Sequence, residues 1–286
     1  MISPETRIGS LKLRVQDIDL MQPFYEQIMG LQVLEKDEAN VHLGVDPKTV
    51  LVKLEIDPSA HKRGRGTTGL YHYAILLPGR HDLAVVLDRL LSRSYPLQGV
   101  ADHYVSEAVY LADPEGNGIE MYADRPRDDW YSSEGELRMG TVALDVEGLL
   151  STIGEKSDRE VKLPRGTRIG HIHLHVANLE KAVTFYRDVV GFELMMLYGS
   201  SAGFLSAGGY HHHIGINTWA GEGAPEPGPG STGLVEYSIL VPDSDELARI
   251  ADRADAAGIE IDHAETVVRI SDPSGNRLKI SVDEET

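Results

Sequence analysis

The sequence predicts an α+β chain built from four tandem βαβββ modules, and three observations carry that prediction. Residues 8–34, IGSLKLRVQDIDLMQPFYEQIMGLQVL, superimpose on residues 169–195, IGHIHLHVANLEKAVTFYRDVVGFELM. A constant offset of 161 places Ile8 on Ile169, Gly9 on Gly170, Leu13 on Leu174, Val15 on Val176, Phe24-Tyr25 on Phe185-Tyr186 and Gly30 on Gly191. A second matched pair is GLYHYAILLP at 69–78 and GLVEYSILVP at 233–242. Each leads into an amphipathic segment and then a DPxGN turn, Asp113–Asn117 in one case and Asp272–Asn276 in the other. The chain is therefore a duplication whose halves each hold two smaller units of about 55 residues.

Every module opens on an alternating strand. In His171-Ile172-His173-Leu174-His175-Val176 the even positions are apolar and the odd ones carry imidazole, the period of a half-buried strand. A helix follows. In the third module Asn178 is suited to cap it, Val183, Tyr186 and Val190 recur at helical spacing, and Gly191 closes it in the left-handed conformation. Short strands separated by Gly, Asp and Pro turns complete the module, as in Ser200 to Trp219. The modules span 8–57, 69–124, 169–218 and 232–283, giving domains at 1–124 and 169–286. Residues 125–168 form a charged crossover whose apolar pieces, 141–146 and 148–150, predict order. GEGAPEPGPGS at 221–231 is a Pro/Gly loop between modules three and four.

Composition removes whole classes of chemistry. With 45 acidic against 27 basic residues the net charge is -18, which repels phosphate backbones and acidic lipid surfaces, so neither nucleic acid nor a membrane is an expected partner. No apolar run approaches eighteen residues, and MISPETRIGS lacks the basic-then-apolar order of a signal peptide, which predicts a cytoplasmic protein. Zero cysteines exclude disulfides, thiolate zinc sites, iron-sulfur clusters and cysteine nucleophiles. Any metal must be held by His, Asp or Glu.

Histidines supply the candidates. Three alternate on the opening strand of module three, and His211, His212 and His213 stand together near its end. If Ile214 and Ile216 face the helix layer, strand alternation puts His211, His213, Gly215 and Asn217 on the opposite, concave side. In module two His72 sits in an apolar strand and Glu120 lies between Ile119 and Met121 on the last strand. A carboxylate buried there is costly unless paired or bound to a metal. Met29, Met121, Met139, Met195 and Met196 read as core filler, and His42, His61, His81 and His263 lie in polar or loop contexts without an assigned role.

These units, their FY…G helices and the DPxGN turns resemble the vicinal oxygen chelate superfamily. More closely, DHYVSEAVYLADPEGNGIEMYADRPRDDW at 102–130, GHIHLHV at 170–176 and GGYHHHIGINTW at 208–219 resemble the two-domain type I extradiol dioxygenases of the catechol 2,3-dioxygenase kind. The stretch from His103 to Glu120 follows the extradiol signature, departing only at Ala101, two residues before the histidine. The resemblance spans essentially the whole chain and implies barrel or half-barrel folds around a metal site. It also implies Fe(II), with Mn(II) as the alternative ion, on two histidines and one carboxylate that leave positions open for a small aromatic diol and O2.

Carried over to this chain, the ligand positions fall on Ser10 in module one, His72 and Glu120 in module two, His171 in module three, and Glu236 and Lys279 in module four. Pairing of modules two with three and one with four is inferred, because it collects His72, Glu120 and His171 into one full triad and Ser10, Glu236 and Lys279 into one empty set, accounting for every retained and every lost ligand together. If neighbours pair instead, Ser10 or water has to fill the third position. By the same resemblance His103 meets bound oxygen or substrate, Tyr110 contacts the substrate hydroxylate, and a late histidine of module three is the acid-base residue, with face alternation favouring His213 over His211 and His212.

The implied activity is insertion of both oxygen atoms into catechol or a substituted catechol to give a 2-hydroxymuconic semialdehyde. Two alternatives share the fold: a glyoxalase-like metalloenzyme, and a metal-free drug-sequestering protein, which the aromatic content of 6% makes less attractive. Self-association is common in the superfamily, so a homo-oligomer is compatible with the sequence.

Overall fold

A computed structural model describes residues 1–154, 162–264 and 266–283, so residues 155–161 of the crossover and the last three residues of the 169–286 domain lie outside the described residues. Module one contains β1 (Arg7–Val15), helix α1 (Ile18–Pro23, continued by a π-helical turn over Phe24–Met29), β2 (Gln32–Lys36), β3 (Asn40–Asp46) and β4 (Thr49–Ile56). Module two contains β5 (Gly69–Leu76), α2 (Arg80–Ser92), β6 (Leu97–Asp102), β7 (Ser106–Ala112) and β8 (Gly118–Asp124). The crossover holds a short helix α3 (Val146–Leu150). Module three contains β9 (Arg168–His175), α4 (Leu179–Thr184, continued by a π-helical turn over Phe185–Val190), β10 (Glu193–Tyr198), β11 (Ala202–Ser206) and β12 (Ile214–Asn217). Module four contains β13 (Gly233–Val241), α5 (Ser244–Ala256), β14 (Asp262–Ala264), β15 (Val267–Ser271) and β16 (Arg277–Val282). The class is α+β with the βαβββ order that the repeats predict. The strands fall into two eight-stranded sheets, β14-β15-β16-β13-β1-β4-β3-β2 and β10-β11-β12-β9-β5-β8-β7-β6. Among the described residues no helix is long and apolar enough to cross a membrane.

The helix ends follow from their sequence. The Asn178 side chain accepts from the Lys181 amide, and Gly191 takes φ 104, a left-handed conformation that costs any other residue a Cβ clash. The second half of the helix differs from the regular α-helix that the spacing suggests. Both FY pairs sit in π-helical turns, in which Gly30 and Gly191 bond back five residues to the Tyr25 and Tyr186 carbonyls. Pro23 is not the cause, because module three has Thr184 at that position and the same turn. What the two share is burial of two adjacent aromatic residues, Phe24-Tyr25 and Phe185-Tyr186, whose rings meet edge to face at 5.1 Å in each case.

The chain divides into two compact units. The first comprises Met1–Gln16, Ser59–Tyr71 and Gly170–Thr286. In it β1 of module one pairs antiparallel with β13 of module four, and β13 pairs parallel with β16. Lys12 lies opposite Glu236 and Leu13 opposite Leu234, so Val235 bulges. Leu11, Leu13, Val15, Tyr237 and Ile239 are buried along this pair, each worth about 1.5–3 kcal/mol of transfer free energy for the larger side chains. In the same unit β9 runs parallel to β12.

The second unit comprises Asp17–Pro58 and His72–Ile169. Here β5 runs parallel to β8, which pairs antiparallel with β7, and β7 with β6. Strands β2, β3 and β4 form an antiparallel meander.

Each unit ties its aromatic core to its DPxGN turn. In the second unit the Tyr73 hydroxyl donates to Tyr25 at 3.1 Å, and the Tyr25 hydroxyl donates to Asp113 at 3.0 Å. In the first, Tyr237 donates to Tyr186 and Tyr186 to Asp272, both at 3.0 Å. The aspartate also accepts from turn groups: Asp113 takes the Glu115 and Asn117 amides and the Asn117 side chain at 2.8–3.0 Å. Burial is the dominant influence on its acidity and pushes the Asp113 carboxyl up to about 6, against the pull of these hydrogen bonds.

Candidate metal centre

In the second unit, strand register places polar groups on one face of an otherwise apolar sheet. Ala74 lies opposite Glu120, and His72, two residues earlier in β5, shares the face of Ala74. Tyr110 of β7 lies opposite Glu120 from the other side. The face is completed by Ala74, Leu76, Ala108 and Tyr122, a buried cluster against which Tyr110 packs. Two alanines beside the polar groups keep the surface shallow where those groups stand.

The imidazole of His72 and the carboxylate of Glu120 meet directly, Nε2 to Oε2 at 3.1 Å, with only 10% and 4% of the side chains exposed. A carboxylate so buried needs a cationic partner or a metal. The Tyr110 ring lies 5.8 Å from that of His72. His103 stands just beyond β6, its Nε2 2.7 Å from the Tyr110 hydroxyl and its Nδ1 2.7 Å from the Gly140 carbonyl. Thr141 Oγ1 lies 3.3 Å from the same Nδ1. Four of the residues singled out by sequence, His72, His103, Tyr110 and Glu120, are thus brought together within one unit.

In the first unit the opening strand β9 carries His171, His173 and His175 on one face, the first two buried. Gly215 of β12 lies opposite His173, and a Cβ built there would stand 2.8–3.0 Å from the His173 ring, so only glycine admits the imidazole. The His175 Nδ1 meets Asn217 Oδ1 at 2.7 Å. The His171 ring lies near those of His212, with centroids 4.0 Å apart, and His211, at 6.3 Å.

The triple histidine departs from simple alternation. Strand β12 begins only at Ile214, so the three imidazoles precede the regular strand and its period does not extend back to them. His213 lies among Phe192, Tyr210 and Ser206, and its Nδ1 accepts the Ala207 amide at 3.2 Å. His212 faces His171, and His211 and His212 approach through their Nδ1 atoms at 2.8 Å.

Two groups beside these histidines escaped the sequence reading. Tyr71 and Trp219, both partly exposed, meet at 5.2 Å, and Tyr71 lies 5.2 Å from His173 and 5.0 Å from His175. Tyr71 occupies the repeat position of the bulged Val235, and a bulge is what strict alternation hides. The Gly140 carbonyl escaped because a backbone acceptor leaves no signature in residue type.

Comparison with known proteins identifies the family. Over 275 residues, 95% of each chain, the sequence is 47% identical to the catechol-2,3-dioxygenase of Bacillus subtilis (strain 168). It is 28% identical over 236 residues to an iron-dependent extradiol dioxygenase of Rhodococcus jostii (strain RHA1), covering 79% of this chain and 70% of that one. The fold is that of glyoxalase I from Zea mays, with a TM-score of 0.61 at 16% identity over 97% of this chain and 92% of that one. Residues 7–121 and 168–280 match the model of the Glyoxalase/Bleomycin resistance protein/Dioxygenase superfamily, and the chain belongs to that superfamily.

Proposed function

We propose that the chain is an extradiol ring-cleaving dioxygenase that inserts both atoms of O2 into catechol or a substituted catechol, using Fe(II) held by His72, Glu120 and His171. The observation that carries this reading is that these three buried residues each offer a ligand atom, all within 4.8 Å of one another. Two imidazoles and one carboxylate on one side are the donor set of ferrous oxygenases, and they fit a divalent first-row ion with positions left open. Fe(II) supplies the electron transfer that lets triplet dioxygen react with a singlet diol, and its residual positive charge favours the diol anion. Mn(II) satisfies the same donors.

The chain's own residues orient and move protons. Tyr110, hydrogen-bonded to His103 at 2.7 Å and beside His72, meets an oxygen atom of the substrate, and His103 acts on the substrate through it. His213 is the candidate acid and base, with its Nδ1 accepting the Ala207 amide. His212 is the competing position because its ring centroid lies 4.0 Å from that of His171. Tyr71 and Trp219 offer aromatic walls to a flat ring. Oxygen insertion with cleavage outside the two hydroxyls yields a 2-hydroxymuconic semialdehyde.

The test is anaerobic reconstitution with ferrous ion followed by catechol and air. A yellow ring-fission product is expected, lost in His72→Ala, Glu120→Ala and His171→Ala along with bound iron. Stoichiometric iron with no ring fission from any catechol would refute the reading.

A further inference from the structure

His103 is gripped from the crossover. Asp102 and Val142 exchange backbone hydrogen bonds at 3.0 and 2.9 Å, and the Gly140 amide reaches the His103 carbonyl at 3.4 Å. This lays Arg138–Val142 along the end of β6 as a strap. Between them Tyr104 is held at φ 66, a left-handed conformation unfavourable for a bulky residue, with its amide on Asp102 Oδ1 at 2.8 Å. The Arg138 guanidinium lies 5.4 Å over the Tyr104 ring. A Cβ on Gly140 would come within 2.9 Å of that ring, so glycine is what lets the strap close.

The consequence lies in which atoms can donate. A carbonyl oxygen only accepts, so the 2.7 Å contact from Gly140 requires a hydrogen on His103 Nδ1. In the neutral ring Nε2 is then an acceptor, and the 2.7 Å contact with Tyr110 requires the hydroxyl to donate to it. We propose that the crossover strap is a positioning element that fixes the His103 tautomer through the Gly140 carbonyl and thereby aims the Tyr110 hydroxyl hydrogen at His103. The Tyr110 oxygen then offers only lone pairs to a bound molecule, so it receives a substrate that arrives with a hydroxyl hydrogen at that point. Gly140 and Tyr104 act through His103 and touch no substrate. This inference rests on the ring-cleavage reading for its purpose, but not for its geometry.

The first measurement is a long-range nitrogen-proton NMR spectrum of the full chain prepared without metal, with His103→Asn identifying the His103 signals. A single Nδ1-protonated tautomer is expected; an Nε2-protonated or averaged ring overturns the proposal. Gly140→Ala is expected to average the tautomers and, in the iron-loaded enzyme, to lower kcat about tenfold with KM changed less than about twofold. Adding Tyr104→Gly removes the ring that the new Cβ meets and is expected to restore both. Tautomer and kcat unchanged in Gly140→Ala would refute the strap's role. Because the wild-type signature and the double variant do not depend on the single variant folding, the proposal stays decidable. An intact Nδ1-protonated signature in a protein that cleaves no catechol would support the strap and defeat the dioxygenase reading alone.

Discussion

Strands β5 and β13 are near copies, GLYHYAIL and GLVEYSIL, yet they support opposite surroundings. In β5 the fourth residue is His72, buried against Glu120 at 3.1 Å. In β13 the same position is Glu236, opposite Lys12 in register and 3.6 Å from Arg269, with a quarter of its side chain in solvent. Seven residues after the turn aspartates stand Glu120 in one copy and Lys279 in the other. The Tyr-Tyr-Asp network beneath them is nevertheless the same to 0.1 Å in each hydrogen bond. The buried network bears on folding in both copies, so neither can lose it without unsatisfied polar groups. The positions proposed as ligands bear on chemistry, and in the other copy they hold Lys279 and an ion-paired Glu236.

The largest expected effect breaks this comparison at its functional end. Replacing His72 or Glu120 with Ala removes a proposed metal ligand, and kcat/KM for catechol cleavage is expected to fall roughly a thousandfold or more, several kcal/mol of transition-state stabilisation. Iron per chain, measured after gel filtration, falls with it. Full iron retention in both variants would show that these residues are not the ligands.

Next in size are the turn aspartates. Asp113→Ala and Asp272→Ala each strand a tyrosine hydroxyl, an asparagine amide and turn amides in the core, and each is expected to cost about 3 kcal/mol in urea unfolding. A cost under about 1 kcal/mol in one copy only would mean that the two networks are not equivalent.

Acidity sharpens the same pair. The Asp113 carboxyl, ordinarily 3.8, is raised to about 6 by burial, and Asp272 is raised for the same reason. As pH climbs from about 4 to 6, the unfolded chain gives up this proton first while the folded chain keeps it. The Asp113 contribution therefore lowers stability with rising pH, by at most about 3 kcal/mol across the window. Subtracting the curve of Asp113→Asn from that of the native chain isolates the slope. A difference that rises with pH would reverse the sign and imply an ionised, hydrogen-bonded carboxylate instead.

Much of this was legible in the sequence because it is carried by side-chain type at fixed spacing. The offset of 161 revealed the module, alternation around Glu120 and His72 revealed a polar face in an apolar strand, and Gly191 marked a helix end. What escaped is carried by backbone. The π-helical turns depend on which hydrogen bond closes, five residues back, and FY gives no sign of it. The histidines at 211–213 stand outside β12, so a period-two rule has no purchase on them. His103 is visible as a motif residue, but its anchor is the carbonyl of Gly140.

The smallest expected effect lies in the copy without ligands, and it carries the comparison furthest. Glu236→Gln breaks a pair whose partner Arg269 is nearly half exposed at 3.6 Å, and such pairs contribute about 0.5 kcal/mol or less. Lys279→Met removes the charge of a half-buried residue of β16. Both variants are expected to keep full iron content, full catechol turnover and unfolding free energies within about 0.5 kcal/mol of the native chain. A loss of iron in Glu236→Gln comparable to that in Glu120→Ala would mean that the duplication kept a second metal position under an ion-paired disguise. Unchanged iron in both variants, together with its loss in His72→Ala, would place the whole burden of metal binding on one copy of a twice-used strand.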